Sequence, residues 1–357
     1  SRIFIGFATW TLVGEDFLGG RVQLEKQEGD EDAAMSLLEK GVFFAFVCSL
    51  LGCVQLSSVI SLFLVGMFLL QRLTGIGVER FKDEDGFEPG SKSKPSVGYS
   101  LVQGRRPYME DMHFTSLNFG TSGKSCFFGV FDGHSGKRAS QFARDQLAKY
   151  LEVDLQQLGP REALQSAFMK TDASFLQRAE KENLNDGSTA ATALLVGREL
   201  YVANAGDSRA ILCCGQSAIP MSVDHKPDRP SERERIEQAG GTVVYFGCAR
   251  VNGILATSRG IGDRELKNWV IAEPEIRYKK LEPGDDFLVM ATDGLWDVMT
   301  NVQVATIISG EKNAQAAAKK LTAEALKLGS MDNITALVVD LREMLADMGP
   351  SADEKNG

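Results

Sequence analysis

The sequence predicts an α+β domain with antiparallel sheets over residues 97–342. Two observations support this fold class. Short apolar runs typical of strands occur next to one another along the chain, and helical patterns occur in pairs as well. A parallel βαβ fold would instead alternate strand with helix. A range of this length is also sufficient to form a core and enclose an active site.

The elements follow in chain order from the residue pattern. Strands are predicted where β-branched, aromatic and aliphatic residues run together, at 126–131, 190–196, 200–205, 210–214, 287–291 and 334–341. Helices are predicted where apolar residues recur at helical spacing, at 137–151, 161–181, 231–238, 302–308 and 314–328.

Composition excludes several classes of protein. Lys and Arg total 39 against 48 Asp and Glu, for a net charge of -9, and no basic run interleaved with aromatics suggests a nucleic-acid partner. The 6 Cys contain no C-x-x-C pair, so neither a disulfide framework nor a structural zinc site is expected. The sequence also lacks a P-loop and the cysteine-plus-arginine loop of cysteine-dependent phosphatases.

The regions outside this domain differ in composition from it. Residues 1–41 form an acidic N-terminal segment, and 42–70 contain no charged residue and are long enough for a transmembrane helix. A buried core helix is the alternative, but this segment is apolar on all sides. Residues 71–96 resemble a linker, and 343–357 a C-terminal tail.

Charges beside the apolar segment predict an orientation. Arg72, Arg80 and Lys82 follow it, so the positive-inside rule favours a single-pass membrane protein with its C-terminal domain, 97–342, facing the cytosol. Because the chain starts at Ser1, an organelle membrane such as that of the chloroplast is the alternative location.

Acidic residues beside glycine at the ends of apolar runs point to the chemistry. Asp132-Gly133 and Asp293-Gly294 are two such pairs. A carboxylate at the end of a buried strand is costly unless it is paired or binds a cation, so several that converge would suit a hard divalent ion. Each Asp-Gly pair taken alone also fits an ordinary turn.

Nine motifs, in this order, resemble the protein phosphatase 2C family of metal-dependent Ser/Thr protein phosphatases, and most closely its plant-type branch. They are the segments 103–111, 130–134, 186–190, 206–209, 224–227, 250–253, 258–263, 293–297 and 332–335.

The resemblance implies a four-layer α-β-β-α sandwich, in which helices flank two antiparallel sheets, and two Mg²⁺ or Mn²⁺ ions in a cleft at one end. It assigns the protein ligands to Asp132, which bridges both ions, the carbonyl of Gly133, Asp293 and Asp332. Glu110 and Asp111 would hold metal-bound waters, and Asp207 a weaker third ion. A water bridging the two ions would attack phosphorus without a covalent intermediate.

The same resemblance suggests roles for other side chains. Arg106 would bind the phosphoryl oxygens, and His134 would protonate the leaving oxygen of phosphoserine or phosphothreonine. His113 and His225 are expected to be structural, and Asp263 to support the site. Three further expectations are that Arg250 shapes substrate access, that Thr189 packs or hydrogen-bonds near the site, and that Trp296 packs in the core.

The leading hypothesis is therefore a membrane-anchored protein Ser/Thr phosphatase that acts on phosphorylated proteins, with a monomeric catalytic domain. One alternative is a catalytically silent relative that only holds phosphoproteins. Another is a metal-dependent hydrolase of small phosphate esters. The substrate protein, the membrane and any regulatory partner are not specified by the sequence.

Overall fold

Residues 81–348 are described by the structure, a computed structural model. The strands of this part are β1 (Glu84–Glu88), β2 (Ser96–Val102), β3 (Met112–Phe119), β4 (Ser125–Phe131), β5 (Gly133–His134), β6 (Gly187–Ser188), β7 (Ala190–Val196), β8 (Glu199–Ala205), β9 (Arg209–Cys214), β10 (Ser217–Pro220), β11 (Val243–Phe246), β12 (Cys248–Val251), β13 (Ile261–Gly262), β14 (Glu275–Lys280), β15 (Phe287–Ala291) and β16 (Ile334–Asp340). The α-helices are α1 (Arg138–Asp154), α2 (Pro160–Glu182), α3 (Pro230–Gln238), α4 (Asp293–Trp296), α5 (Asn301–Ile308), α6 (Ala314–Lys327) and α7 (Arg342–Asp347).

Two large sheets form the framework, and their strand pairings are antiparallel. One has the order β1-β2-β16-β15-β9-β10, and the other β14-β8-β7-β4-β3. Two smaller sheets, β11-β12 and β13-β6-β5, complete the set in the described part. The prediction of an α+β fold with antiparallel sheets is confirmed.

Successive side chains of the central strands alternate between two hydrophobic clusters of the core. In β4, Phe128 and Val130 lie in a cluster shared with strands of the other sheet, whereas Phe127 and Phe131 lie in a cluster with α1 and α2. Successive side chains of a strand point to opposite faces, so both faces of this strand are covered. A third cluster joins β15 and β16 of the six-stranded sheet to α5 and α6.

The predicted elements occur in the structure, with ends that differ by at most three residues, but several strands were not predicted. β2, β3 and β14 combine polar and apolar residues, as in the sequence MHFTSLNF of β3. Their pairing with a neighbouring strand supplies the order that their composition does not indicate.

The ends of the domain extend beyond the predicted range 97–342. β1 lies within the segment predicted as a linker, 71–96, and pairs with β2. α7 begins at Arg342, the last residue of the predicted domain, and continues into the predicted tail, 343–357, where Met344 and Leu345 belong to the buried cluster between the sheets. Tertiary burial, rather than local composition, orders these two segments.

We expect Leu345→Ala to lower the free energy of unfolding by about 2–5 kcal/mol, because it removes buried methyl groups from this cluster. Met348→Ala, at a side chain that is 40% exposed, is the control and should change stability by no more than about 0.5 kcal/mol. Urea unfolding of both variants measures this. Equal stability of the two would contradict the packing of α7.

The described residues include no helix that is both long enough and apolar enough to cross a bilayer. The longest, α2, has 23 residues but carries charged side chains from Arg161 to Glu182. This finding corrects the prediction of a single-pass membrane protein with a cytosolic catalytic domain, together with its organelle-membrane alternative. The apolar segment 42–70 and the acidic segment 1–41, from which that prediction was made, lie outside the described residues.

Candidate metal centre and active site

Asp132 lies at the centre of the site, at the point where β4 ends. Its backbone N–H donates to Thr189 Oγ1 at 3.1 Å, and its carbonyl accepts from the Thr189 N–H at 2.9 Å. Burial raises the pKa of Asp132 well above its usual value, and negative charge nearby raises it further. The charges responsible are those of Asp293, Asp111, Asp207 and Asp332. The carboxylates predicted to act together are therefore within electrostatic range of one another.

Gly133 is placed where no side chain would fit. A Cβ atom there would lie 2.6 Å from the carbonyl oxygen of Glu110 and 2.7 Å from Ser140 Oγ. The Ser140 hydroxyl donates to that same carbonyl at 2.6 Å, so helix α1 and the segment before β3 close around the glycine. A close approach of backbone to backbone requires glycine at this position.

Asp111 is buried and joins three parts of the chain. Its Oδ2 accepts from Thr292 Oγ1 at 2.8 Å and from Thr335 Oγ1 at 2.7 Å. Burial raises its pKa to about 7, against the effect of the two hydroxyls, and the charge of Asp332 contributes to the rise. These threonines follow β15 and lie in β16, so Asp111 fixes the ends of two central strands beside the site.

Asp293 and Asp332 stand on the two adjacent strand ends. Asp293 begins α4, with one residue, Thr292, between it and β15. Burial, followed by the charges of Asp207 and Asp297, raises the pKa of Asp293. Asp332 precedes β16, and its Oδ2 accepts from Arg106 Nη2 at 2.5 Å. Two residues predicted for different roles, a metal ligand and a phosphate-binding arginine, are thus in direct contact.

Glu110 lies at the edge of the same cluster. Its backbone N–H donates to Asn333 Oδ1 at 2.9 Å, and its Oε1 accepts from the Gly136 N–H at 2.8 Å. Burial is the main reason that its pKa is raised. Asn333, which was not assigned a role from the sequence, also donates to the carbonyls of Gln103 and Tyr108, both at 2.9 Å, and so positions the loop that carries Arg106.

Asp207 is held by a lysine that sequence reasoning did not single out. Lys226 Nζ donates to Asp207 Oδ2 at 2.5 Å. Burial lowers the pKa of this lysine, but the charges of Asp207, Asp293 and Asp297 outweigh burial and raise it overall. The segment 224–227 is among the nine motifs of the family resemblance, but no role was assigned to Lys226 from the sequence.

His134 pairs with Asp263. The ring Nε2 and Asp263 Oδ1 are 2.6 Å apart, and the carboxylate is almost completely buried. Burial lowers the pKa of His134, and the nearby carboxylates, with Asp263 first, reverse this and raise it. The sequence predicted Asp263 only as a general support of the site, whereas in the structure it contacts the predicted general acid.

The other two histidines lie in packed surroundings. The His113 ring lies 4.0 Å from that of Tyr99, and burial lowers the pKa of His113 to about 4. His225 is fully buried against Gly206, with its Nδ1 3.1 Å from that carbonyl oxygen, and burial lowers its pKa to about 4. These contacts agree with the structural roles that we expect for both.

Three further predicted residues have clear partners. Thr189 Oγ1 lies 2.7 Å from Ser208 Oγ, as well as bonding to Asp132. The Trp296 ring is buried, and its Nε1 donates to the carbonyl of Ala291 at 2.8 Å. Arg250 lies on β12 of the small hairpin and donates to the carbonyl of Ile254 at 2.7 Å.

The donor set suits a hard divalent ion. The site contains six carboxylates, those of Asp132, Asp293, Asp332, Asp111, Asp207 and Glu110. Two of them pair with cations, Asp332 with Arg106 and Asp207 with Lys226. When all six carboxylates are ionised, the site therefore has four more negative than positive charges. Within residues 81–348, no group of three or more His, Cys, Asp or Glu side chains forms a cage that could hold a metal ion by itself. Mg²⁺ does not require such a cage, because it retains several waters and uses one or two carboxylates. The residues therefore fit Mg²⁺ or Mn²⁺.

The sequence comparisons with known proteins all indicate the same family. Residues 96–334 match the family model described as protein phosphatase 2C. Over 248 residues, or 69% of this chain and 79% of the relative, the chain is 45% identical to "Probable protein phosphatase 2C 59" of Arabidopsis thaliana. It is also 42% identical over 277 residues to "Probable protein phosphatase 2C 52" of Oryza sativa subsp. japonica, covering 77% of this chain but only 55% of that relative.

Solved structures share the fold. A serine-threonine phosphatase 2C from Toxoplasma gondii superposes with a TM-score of 0.63 at 24% identity, over 72% of this chain and 99% of that one. A sex determining protein of C. elegans gives a TM-score of 0.66 at 25% identity, over 72% and 68% of the two chains.

Proposed function

Because the chain belongs to the protein phosphatase 2C family, which consists of metal-dependent Ser/Thr protein phosphatases, we propose that its reaction takes place at the carboxylate cluster around Asp132. The observation that carries this proposal is the placement of Asp132, Asp293 and Asp332 beside the ends of β4, β15 and β16. Burial, and after it the charges of the neighbouring carboxylates, raise the pKa of Asp132, which agrees with this placement. Such a cluster is stable in its charged form only with cations bound.

We assign the protein ligands of two Mg²⁺ or Mn²⁺ ions to Asp132, the Gly133 carbonyl, Asp293 and Asp332. This assignment is supported by the positions of the three aspartates. They lie beside the ends of β4, β15 and β16, which are central strands of the two large sheets. Glu110 and Asp111 would hold the waters that complete the coordination. Asp207, beside Asp293, would hold the weaker third ion.

The ions, when bound, activate a water as nucleophile at neutral pH and neutralise charge on the phosphoryl group. The chain's own residues orient the substrate. Arg106 bonds to Asp332 through Nη2 and has further guanidinium N–H groups that can donate to phosphoryl oxygens. Its side chain is 52% exposed, as a group that meets an incoming substrate must be.

His134 would supply the proton for the leaving serine or threonine oxygen. It directly follows the proposed metal-binding pair Asp132-Gly133, and its side chain is 24% exposed. The nearby carboxylates raise its pKa, which favours the protonated ring that a general acid needs. His113 and His225, whose pKa values are lowered by burial, do not meet this requirement.

Several finer predictions belong to the same proposal. The three hydrophobic clusters, one between the sheets and one under each helix pair, support a four-layer α-β-β-α sandwich. Phosphoserine and phosphothreonine proteins are the proposed substrates, and the catalytic domain is proposed to act as a monomer. The net charge of -9 gives no reason to expect a nucleic-acid partner.

Phosphate release from a phosphothreonine peptide tests the function. We expect the full chain to release phosphate with Mg²⁺ or Mn²⁺ and to stop when a chelator is added, because a cluster of carboxylates alone provides no nucleophile. Activity that persists in chelator would contradict the proposal. Folded, metal-saturated protein without activity would favour the silent, phosphoprotein-holding alternative. Rapid turnover of small esters with poor turnover of the peptide would favour a small-ester hydrolase.

A further inference from the structure

Asp263 makes a contact that its position in the sequence does not explain. Its Oδ1 lies 2.6 Å from His134 Nε2, across 129 positions of sequence. The Asp263 side chain is only 4% exposed, whereas that of His134 is 24% exposed. A buried carboxylate is therefore fixed against one ring nitrogen of a partly exposed imidazole.

Asp263 has a backbone conformation that is uncommon for a residue with a side chain. Its φ is 54°, in the left-handed region that non-glycine residues rarely adopt. Two interactions secure it: the Asp263 N–H donates to the carbonyl of Asp186 at 3.0 Å, and the preceding strand β13 pairs with β6. Strain of this kind persists where the surrounding structure fixes the residue, and it often accompanies function.

Glycine at 187 leaves room for the pair. A Cβ atom at this position would lie 2.2 Å from His134 Nε2 and 2.3 Å from Asp263 Oδ1. β6, which contains Gly187, lies between β5, which ends at His134, and β13. The three short strands therefore fix both partners to one small sheet, and the missing side chain of Gly187 allows them to touch.

We propose that Asp263 is a positioning residue that holds the His134 ring by Nε2, so that Nδ1 is the nitrogen that donates to the leaving oxygen. This inference rests on the proposed function, in which His134 is the general acid. Nε2–H donates to Asp263, which leaves Nδ1 as the ring nitrogen able to reach the substrate. The carboxylate thus determines both the orientation of the ring and which nitrogen reacts.

The proposed proton transfer accompanies the breaking of the phosphate ester bond. As the bond between phosphorus and the serine or threonine oxygen breaks, its electron pair stays on that oxygen, which takes the proton from Nδ1. The ring is left neutral, with its remaining proton on Nε2 toward Asp263. The attacking water forms the new bond to phosphorus, and a proton from that water restores the ring, so that the products are the alcohol and inorganic phosphate.

The test compares substrates that differ in their need for an acid. We expect Asp263→Ala to lower kcat on a phosphothreonine peptide by about 100-fold, within the usual range for general acid catalysis, with KM changed less than about twofold. On p-nitrophenyl phosphate, whose leaving group departs as a stable anion, the loss should be less than about fivefold. Asp263→Asn, which keeps an acceptor oxygen, should recover part of the peptide activity.

Asp172→Asn is the matched control. Asp172 accepts from the Gly262 N–H at 2.8 Å and from Lys267 at 2.8 Å, so it holds the same loop without contacting His134. This variant should change both substrates by the same factor. Equal losses on the two substrates in Asp263→Ala would reduce Asp263 to a structural role and overturn the proposal.

A spectroscopic measurement covers the case in which Asp263→Ala does not fold. The chain has 3 His, so imidazole ¹⁵N spectra of the Mg²⁺-loaded wild type can be assigned with His134→Gln. We expect His134 to carry a proton on Nε2, and Gly187→Ala to shift that signal by separating the pair. A ring protonated only on Nδ1 would overturn the proposal whatever the activity. If the wild type itself lacked metal-dependent activity, the proposed function would fail. The spectra would still show whether His134 carries its proton on Nε2, toward Asp263.

Discussion

Asp132→Asn is expected to lower metal-dependent phosphatase activity by at least about 10³-fold, more than the 10- to 100-fold typical of residues that only orient metal ligands. Asp132 is the carboxylate on which the surrounding charges converge, and the variant replaces its negative charge with a neutral amide. Peptide dephosphorylation at saturating Mg²⁺ or Mn²⁺ measures the effect. Activity within about tenfold of wild type would contradict the assignment of Asp132 as a ligand.

The same variant should have opposite effects on stability with and without metal. In chelator, removal of one charge from the crowded cluster relieves repulsion, so Asp132→Asn should unfold at the same temperature as wild type or higher. With metal at 100 times its dissociation constant, wild type should gain about 2.7 kcal/mol, and the variant much less. Asp145→Asn, at an exposed acid on α1, is the control and should respond to metal as wild type does.

Asp111→Asn should become more stable relative to metal-free wild type as the pH rises from about 4 to about 7. Burial raises the pKa of Asp111 from 3.8 to about 7 in the folded chain, so its contribution to stability is complete below the unfolded value and is lost as the pH rises through the folded one. One proton accounts for a slope of at most about 1.4 kcal/mol per pH unit. Urea unfolding in chelator at several pH values measures the difference.

Only the difference between the two proteins tests this prediction. His113 and His225 titrate in the opposite sense, because burial lowers their pKa values to about 4 and their contribution is lost as the pH falls below 6.5. They are present in both proteins and cancel. A constant difference between wild type and Asp111→Asn across this range would contradict the raised pKa. Saturating Mg²⁺ should reverse the trend, because the metal binds the ionised carboxylates.

Much of the fold and the choice of candidate residues could be predicted from local sequence. The strands β4, β7 and β15 are nearly continuous apolar runs, because both of their faces are buried, and such runs are recognisable without a partner. Asp132 and Asp293 stand at the ends of two of these runs. β1 and α7, by contrast, were predicted as linker and tail because their order depends on the sheet and cluster they join. The roles of the site residues stay predictions until they are tested.

The sequence by itself determined the family, the α+β class and the acidic motifs, since each of these depends on residue types within a few positions of one another. Only the tertiary structure decided which side chains meet. Asp111 binds Thr292 and Thr335 at separations of 181 and 224 residues, and His134 meets Asp263 at 129. Lys226 reaches Asp207 from a loop 19 residues away. These contacts depend on which strands become neighbours across long separations in the chain. Local patterns of apolar residues do not specify those neighbours, because they follow from the packing of the two sheets and their helices.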